Sequence, residues 1–241
     1  MSEEEIRVAK ESLHQPVLRA LEEGGLSARL VEPLTLHGAL VLVANRSFNL
    51  TRIVDPEDIA RQQILDSIRI GQHLDLAGAS ILDLGSGAGY PGVPLAYLEP
   101  SAQVTLVESV RKKAEFLERV RIGLSRGNLS VRCSRAEHLI AESNLDWDIV
   151  IARAVGRVVR ILELLRSVRH RFGRLVLAKG PRWESEIDEA QPLLRGKLYE
   201  LVDVSNYEIG TGFEPRVIVS IEGRGSHPVR RSSRPKRHRG S

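Results

Sequence analysis

Residues 81–92 read Ile-Leu-Asp-Leu-Gly-Ser-Gly-Ala-Gly-Tyr-Pro-Gly, and this stretch decides the fold. The apolar pair Ile81-Leu82 leads into an acid, Asp83, and three alternating glycines follow, Gly85, Gly87 and Gly89. An apolar strand, a glycine turn and a helix start make the first unit of a nucleotide-binding α/β sheet. Glycines at such a turn accept positive φ and let the backbone approach a bound molecule closely. A βα turn with no ligand is the plain alternative. Four glycines in the eight residues 85–92 argue against it, because they weaken a fold unless the space is used.

Outward from this turn, toward the C-terminus, strands and helices alternate. Strands are expected at 80–84, 104–107 (ending in Glu108), 129–133, 147–152 and 174–178. Helices are expected at 111–125, 157–171 and 184–194, with a short one after Pro91. Two last strands, 198–207 and 215–221, flank Gly210-Thr211-Gly212 and are close enough in sequence to pair antiparallel. Alternation of this kind predicts a Rossmann-like, mostly parallel, doubly wound sheet with an antiparallel C-terminal edge. On the N-terminal side the period is helical. Ile6, Ala9, Leu13, Val17, Ala20 and Leu21 line one face of a helix over 3–23, which Gly24-Gly25 stops. A second helix is read over 33–47. A third starts at Asp55-Pro56-Glu57-Asp58, with Asp55 as N-cap and Pro56 at the first helical position. The expected division is an N-terminal helical extension over 1–75, an α/β domain over 76–223 and a tail over 224–241.

The composition excludes several classes. A chain of 241 residues with 42% hydrophobic content can fill one large α/β core. No apolar run approaches the ~18 residues of a membrane span, and the acidic start Met1-Ser2-Glu3-Glu4-Glu5 has no apolar signal region. The single Cys133 rules out an internal disulfide and argues against a cysteine-ligated metal, which suits a reducing, cytoplasmic setting without metal. Ending strand three, Cys133 is expected to fill a small apolar space in the core. The charge is unevenly spread. Residues 224–241 hold seven Lys/Arg and no acid, whereas residues 1–223 hold 28 basic against 31 acidic residues. Such a tail is expected to be disordered. It reads either as an arm for nucleic-acid phosphates or as a solubilising extension.

The frame Asp-x-Gly-x-Gly-x-Gly over 83–89 looks like the S-adenosylmethionine loop of Rossmann-like methyltransferases. That cofactor has no pyrophosphate, so Asp83 is free to meet its cationic end. Glu108, 21 residues after Gly87, is expected at the end of strand two, where an acid accepts hydrogen bonds from ribose hydroxyls. Ala136-Glu137, after strand three, reads as an adenine contact or as an ordinary helix start. Arg153 and Lys179 follow strands four and five, at the carboxyl edge where open α/β sheets bind ligands. Two cations there suit an anionic partner such as RNA, unless each pairs with a nearby acid. An edge cation such as Arg153 is expected to contribute little to the core and much to turnover. The end of strand four, Ile151-Ala152-Arg153-Ala154, carries no Asn/Asp-Pro-Pro-aromatic loop for amine methylation. Nor does a cysteine nucleophile for carbon methylation stand there. An acceptor that is already nucleophilic, such as guanine N7, needs neither and depends on proximity and aim.

Together, Asn49-Leu50-Thr51, Ile64-Leu65-Asp66-Ser67, the loop 83–92, Arg153-Ala154 and Lys179-Gly180 resemble the RsmG (GidB) family, bacterial methyltransferases of guanine N7 in 16S ribosomal RNA. The resemblance spans about residues 35–187. It implies S-adenosyl-L-methionine as cofactor and 16S rRNA or the small ribosomal subunit as partner, with no membrane or metal and a monomer favoured. It implies cofactor contacts from Gly85, Tyr90, Ala136, Glu137 and Arg153, to which the reading of the glycine loop and the strand end adds Asp83, Ser86, Gly87, Gly89 and Glu108. Substrate contacts would come from Asn49, Asp66, Arg153 and Lys179, the last two as catalytic residues. The Asn-Leu-Thr loop and Leu-Asp-Ser helix would form a cap beside the site. The chain departs from the family at Gln63, Ala152 and Pro215-Arg216, where His, Ser and an Arg-His pair are usual. Open alternatives are a methyltransferase of another RNA or a small molecule, and an RNA-binding module that keeps the cofactor pocket without turnover. An NAD-dependent oxidoreductase would need a second domain for which the chain has no room.

Overall fold

The computed structural model describes residues 1–143, 146–196 and 198–225. The tail expected over 224–241 lies outside the described residues from 226 onward. Seven strands form one sheet: β1 (Ser80–Leu84), β2 (Gln103–Glu108), β3 (Leu129–Cys133), β4 (Trp147–Arg153), β5 (Phe172–Lys179), β6 (Tyr199–Tyr207) and β7 (Arg216–Gly223). Their order is β3-β2-β1-β4-β5-β7-β6. Neighbours pair in parallel except around β7, which runs antiparallel to both β5 and β6. The order reverses between β1 and β4, and that reversal opens a crevice at the carboxyl edge of the sheet.

Strand alternation sorts the core into two layers. Ile81, Val104, Leu106, Ile149, Ile151 and Val176 face one side of the sheet, while Leu82, Leu84, Val107, Val150, Leu175 and Leu177 face the other. Strands buried on both faces need apolar residues at nearly every position, which these sequences supply. The first face is covered by α1 (Glu3–Glu23), α2 (Val31–Asn45), α4 (Asp66–Gln72), α5 (Gly92–Leu98) and α6 (Arg111–Leu124), while the single turn α3 (Pro56–Asp58) packs outside on α1. The second is covered by α7 (Ala136–Glu142), α8 (Val158–Leu164) and α9 (Trp183–Arg195). The N-terminal helices therefore share one continuous core with the sheet. Helix α1 starts in a capping box: Ser2 Oγ accepts from Glu5 N at 3.2 Å and the Glu5 carboxylate accepts from Ser2 N at 2.8 Å. Asp55 caps α3 as expected, its Oδ1 accepting from Glu57 N at 2.9 Å and Asp58 N at 3.2 Å.

Four local readings change. Helix α2 begins two residues earlier than read. The single helix expected over 157–171 is α8 followed by a 3-10 turn, Arg166–Arg171. A π-helical segment, Ile59–Leu65, separates α3 from α4, and its i→i+5 pattern leaves no mark in apolar spacing. Cys133 is exposed rather than in the core. It ends the edge strand β3, whose last two residues, Arg132 and Cys133, lie uncovered.

Candidate active site

The register brings three chain segments to one point. Leu84 pairs with Val107 on one side and with Ala152 on the other. Glu108 and Arg153, one residue further along, therefore flank the glycine turn that starts at Gly85.

The turn is held from below and from the side. Asp83 is buried, and its Oδ2 accepts from Gly92 N at 3.0 Å. A Cβ at Gly92 would lie 2.2 Å from Leu106 Cδ2 and 2.7 Å from Asp83 Oδ2, so no side chain fits there. Burial lifts the Asp83 carboxyl to about 6, opposed by the hydrogen bond from Gly92 N. Its Oδ1 has no partner among the described residues. From α2 comes His37, buried, with Nε2 2.8 Å from the Ala88 carbonyl oxygen. A carbonyl only accepts, so Nε2 carries the proton. Burial lowers His37 to about 4, leaving the ring neutral at neutral pH. The ring stacks at 4.4 Å on Tyr90. Gly89, at φ +95°, leaves the room: a Cβ there would sit 2.9 Å from His37 Nε2.

Above the turn lies a cleft of about 220 Å³ lined by Gly85, Ser86, Gly87, Tyr90, Glu108 and Arg153 among others. Glu108 Oε2 accepts from Gly87 N at 3.2 Å and Oε1 from Val110 N at 2.9 Å. A second hollow of about 160 Å³ adjoins it, sharing Gly85 and walled by Ser109, Ala136, Glu137 and Val155. An elongated cofactor spanning both would pass Glu108 between its ends.

Across the cleft, Arg153 is not a free edge cation. Its Nη1 donates to Asp66 Oδ2 at 2.9 Å and to the Gln62 carbonyl at 2.7 Å, and its Nη2 donates to Gln63 Oε1. Asp66 also accepts from the Tyr207 hydroxyl at 2.8 Å. The side chains of Arg153 and Asp66 are only 17% and 5% exposed. The alternative left open for Arg153, pairing with an acid, is what the structure contains. The expectation of little structural weight is thereby corrected, because the π-helical segment and α4 bring an acid to Arg153 that strand pattern cannot show. Ala154 follows in the left-handed region at φ +56°, a strained conformation for a residue with a Cβ. Lys179 is paired as well: its ammonium donates to Glu186 Oε2 at 2.8 Å and to the Gly156 carbonyl at 2.5 Å.

Arg153 also walls a larger cavity of about 580 Å³, together with Thr51, Asp66, Lys179, Glu186, Tyr207 and Arg216. Thr51, Gln63, Arg153 and Ala154 line both cavity and cleft. Of the residues singled out from sequence, Gly85, Ser86, Gly87, Tyr90, Glu108, Ala136, Glu137, Asp66, Arg153 and Lys179 line these spaces. Asp83 and Gly89 stand behind the loop, and Asn49 is exposed on the loop after α2. Sequence reading missed Lys113 in the cleft and Arg52, Glu186 and Tyr207 in the cavity. Tyr207 meets Asp66 across 141 residues of chain, and no local pattern signals that. Among the described residues no cluster of three or more His, Cys, Asp or Glu could hold a metal, and no helix is long and apolar enough to cross a membrane.

The fold is shared with solved methyltransferases. The structure of M. capricolum TrmK in complex with S-adenosyl-homocysteine superposes with a TM-score of 0.52 at 11% identity, covering 69% of this chain and 71% of that one. The B. subtilis m1A22 tRNA methyltransferase TrmK gives 0.51 at 19% identity, covering 66% and 65%. Closer in sequence is the ribosomal RNA small subunit methyltransferase G of Sorangium cellulosum, 42% identical over 173 residues, 70% of this chain and 72% of that protein. That of Solibacter usitatus is 38% identical over 185 residues, covering 77% and 87%. The family model for GidB, rRNA small subunit methyltransferase G, matches residues 31–208. With the cleft, the cavity and these matches in register, the chain belongs to the GidB family of rRNA small subunit methyltransferase G.

Proposed function

We propose that this S-adenosylmethionine-dependent methyltransferase methylates N7 of a guanine in 16S ribosomal RNA, acting as a monomer in the cytoplasm. One observation carries the reading: the 580 Å³ cavity, lined by Arg52, Arg153, Lys179 and Arg216, meets the cofactor cleft across a shared wall. Its volume lies within the usual range for a small-ligand site, here one nucleotide, and its cations suit phosphate.

The residues fit the cofactor. The two adjoining hollows flank Glu108, a carboxylate suited to ribose hydroxyls, and Ala136-Glu137 line the end assigned to adenine. The loop 83–89 would enclose the remaining part, with the unpartnered Asp83 Oδ1 behind it. When bound, S-adenosylmethionine supplies an electrophilic methyl group on a positive sulfur.

Guanine N7 has a free lone pair, so the protein need remove no proton from it. What it must supply is position and exclusion of water. Arg153, pinned by Asp66 and Gln62, is a fixed wall between base and cofactor. Tyr207 braces Asp66 from β6, and the Lys179–Glu186 pair lines the cavity apart from the wall it shares with the cleft. The helices of 1–75 act as the cap over this wall, residues 76–223 hold the cofactor, and the tail 224–241 adds phosphate contacts.

The test is chemical strand scission at N7-methylguanosine in ribosomal RNA from cells with and without this gene. Loss of scission at one 16S position on deletion is expected, with restoration by the purified protein and labelled cofactor. An unchanged pattern overturns the reading.

A further inference from the structure

We propose that Glu186 reads the target base, its carboxylate accepting hydrogen bonds from the N1–H and the exocyclic N2 amino group of guanine. The inference rests on the reading of the 580 Å³ cavity as the substrate pocket.

Two acids line that cavity, Asp66 and Glu186. Asp66 is committed, with Oδ2 taken by Arg153 and Oδ1 by Tyr207. Glu186 is committed on one side only. Its Oε2 accepts from Lys179 Nζ at 2.8 Å and from Val158 N at 3.0 Å. No hydrogen bond to its Oε1 is present among the described residues. That oxygen stays open to the cavity, where an N–H of a seated ligand can donate to it. The group is also held in place: it sits in the first turn of α9, and its side chain is 20% exposed against 10% for Lys179. A receptor fixed before binding loses less entropy on contact.

Position gives the orientation. Thr51, Gln63, Arg153 and Ala154 form the wall that the cavity shares with the cofactor cleft. Glu186, Lys179, Gly156 and Gly180 line the cavity alone. In guanine, N1 and N2 lie on the edge of the purine away from the five-membered ring that carries N7. Seating the N1/N2 edge on Glu186 therefore turns N7 toward the shared wall. Chemistry gives the selectivity. Guanine offers two donors on that edge, whereas adenine offers an acceptor at N1, which a carboxylate repels. RNA bases are read on this edge once unstacked.

The test compares guanosine with inosine, which lacks only the N2 amino group and keeps N7. Small subunits are reconstituted with 16S RNA carrying either base at the methylated position found by strand scission. The parent enzyme is expected to favour guanosine by about 10- to 100-fold in kcat/KM, the scale for losing a hydrogen bond to a charged group. Glu186→Ala should slow the guanosine reaction and bring the ratio to within about threefold of one, and Glu186→Gln should lower it part-way. The double variant Lys179→Met/Glu186→Gln leaves no stranded ammonium and should lower the ratio likewise. Calorimetry with S-adenosylhomocysteine checks that each variant is folded. A merely structural role would slow both substrates alike and keep the ratio. A parent ratio near one, or folded variants that keep the parent ratio, overturns the inference. A parent enzyme that methylates neither base defeats the proposed function itself.

Discussion

Replacing Arg153 by alanine is expected to act on stability and turnover together, and the two can be separated. The substitution removes a guanidinium that bridges Asp66, the Gln62 carbonyl and Gln63. Asp66, with a side chain 5% exposed, keeps only Tyr207 as a side-chain partner among the described residues. Removing one partner of such a pair typically costs about 3–5 kcal/mol, most of it the penalty for the charge left behind. For a chain of this length that corresponds to a fall in Tm of about 6–20 °C. Removing both charges should undo most of that loss, since replacing a buried pair by apolar groups of similar size is often close to neutral. Arg153→Met with Asp66→Leu should thus melt within a few degrees of the parent, yet methylate at least about 10²-fold more slowly, because the wall between base and cofactor has lost its fixed cation. Arg153→Lys should fall between, keeping charge but not the fork that reaches three acceptors. Thermal melts, and methyl transfer per folded molecule below the melt, give both quantities. An Arg153→Ala protein melting within about 2 °C of the parent would refute the structural half. A double variant methylating at the parent rate would refute the functional half.

Glu108→Ala should weaken S-adenosylhomocysteine binding by roughly 1–3 kcal/mol in calorimetry, the cost of unpaired partners, and an unchanged affinity removes Glu108 from the site. Asp83 and His37 should give opposing pH dependences. Asp83, lifted to about 6, binds its proton more tightly when folded, so its contribution falls as pH rises from about 4 to about 6. His37, lowered to about 4, binds its proton more tightly when unfolded, so its contribution rises between about 4 and 6.5. Each amounts to roughly 3 kcal/mol and they nearly cancel. Denaturation of Asp83→Asn should show stability climbing across this window and that of His37→Phe should show it falling; parallel slopes in both would contradict the assignment. Deleting 224–241 should weaken RNA binding and flatten its salt dependence without moving the methylated nucleotide, because such a tail tracks phosphates and reads no bases. A truncated protein with the parent salt slope would leave the tail a solubility device.

What the sequence could and could not tell follows from the range of each interaction. Strand β1 and the turn after it are local, so apolar run, acid and glycines placed Gly85 and Glu108 correctly at one sheet edge. The mostly parallel sheet and its antiparallel C-terminal edge followed from alternation and a short connection. The partners of Arg153 did not, because Gln62 and Gln63 on the π-helical segment and Asp66 at the start of α4 lie about 90 residues away in sequence. Cys133 was misjudged because a five-residue strand, Leu129–Cys133, does not announce that it lies at the sheet edge. His37 carried no signal in the sequence, because only the fold brings its ring to the Ala88 carbonyl.

The span of the Asp66–Tyr207 contact has a consequence for the order in which the protein is built during synthesis. The cofactor cleft draws its walls from residues 50 to 154, whereas the substrate cavity also needs Lys179, Glu186, Tyr207 and Arg216. With the adjoining hollow, which reaches Leu164, a chain emerging N-terminus first completes the cofactor site about 50 residues before the cavity, which reaches Arg216. Until β6 and β7 dock, Asp66 lacks the Tyr207 hydroxyl and the sheet lacks its last edge. A nascent chain can therefore enclose a methyl donor before it can seat a base.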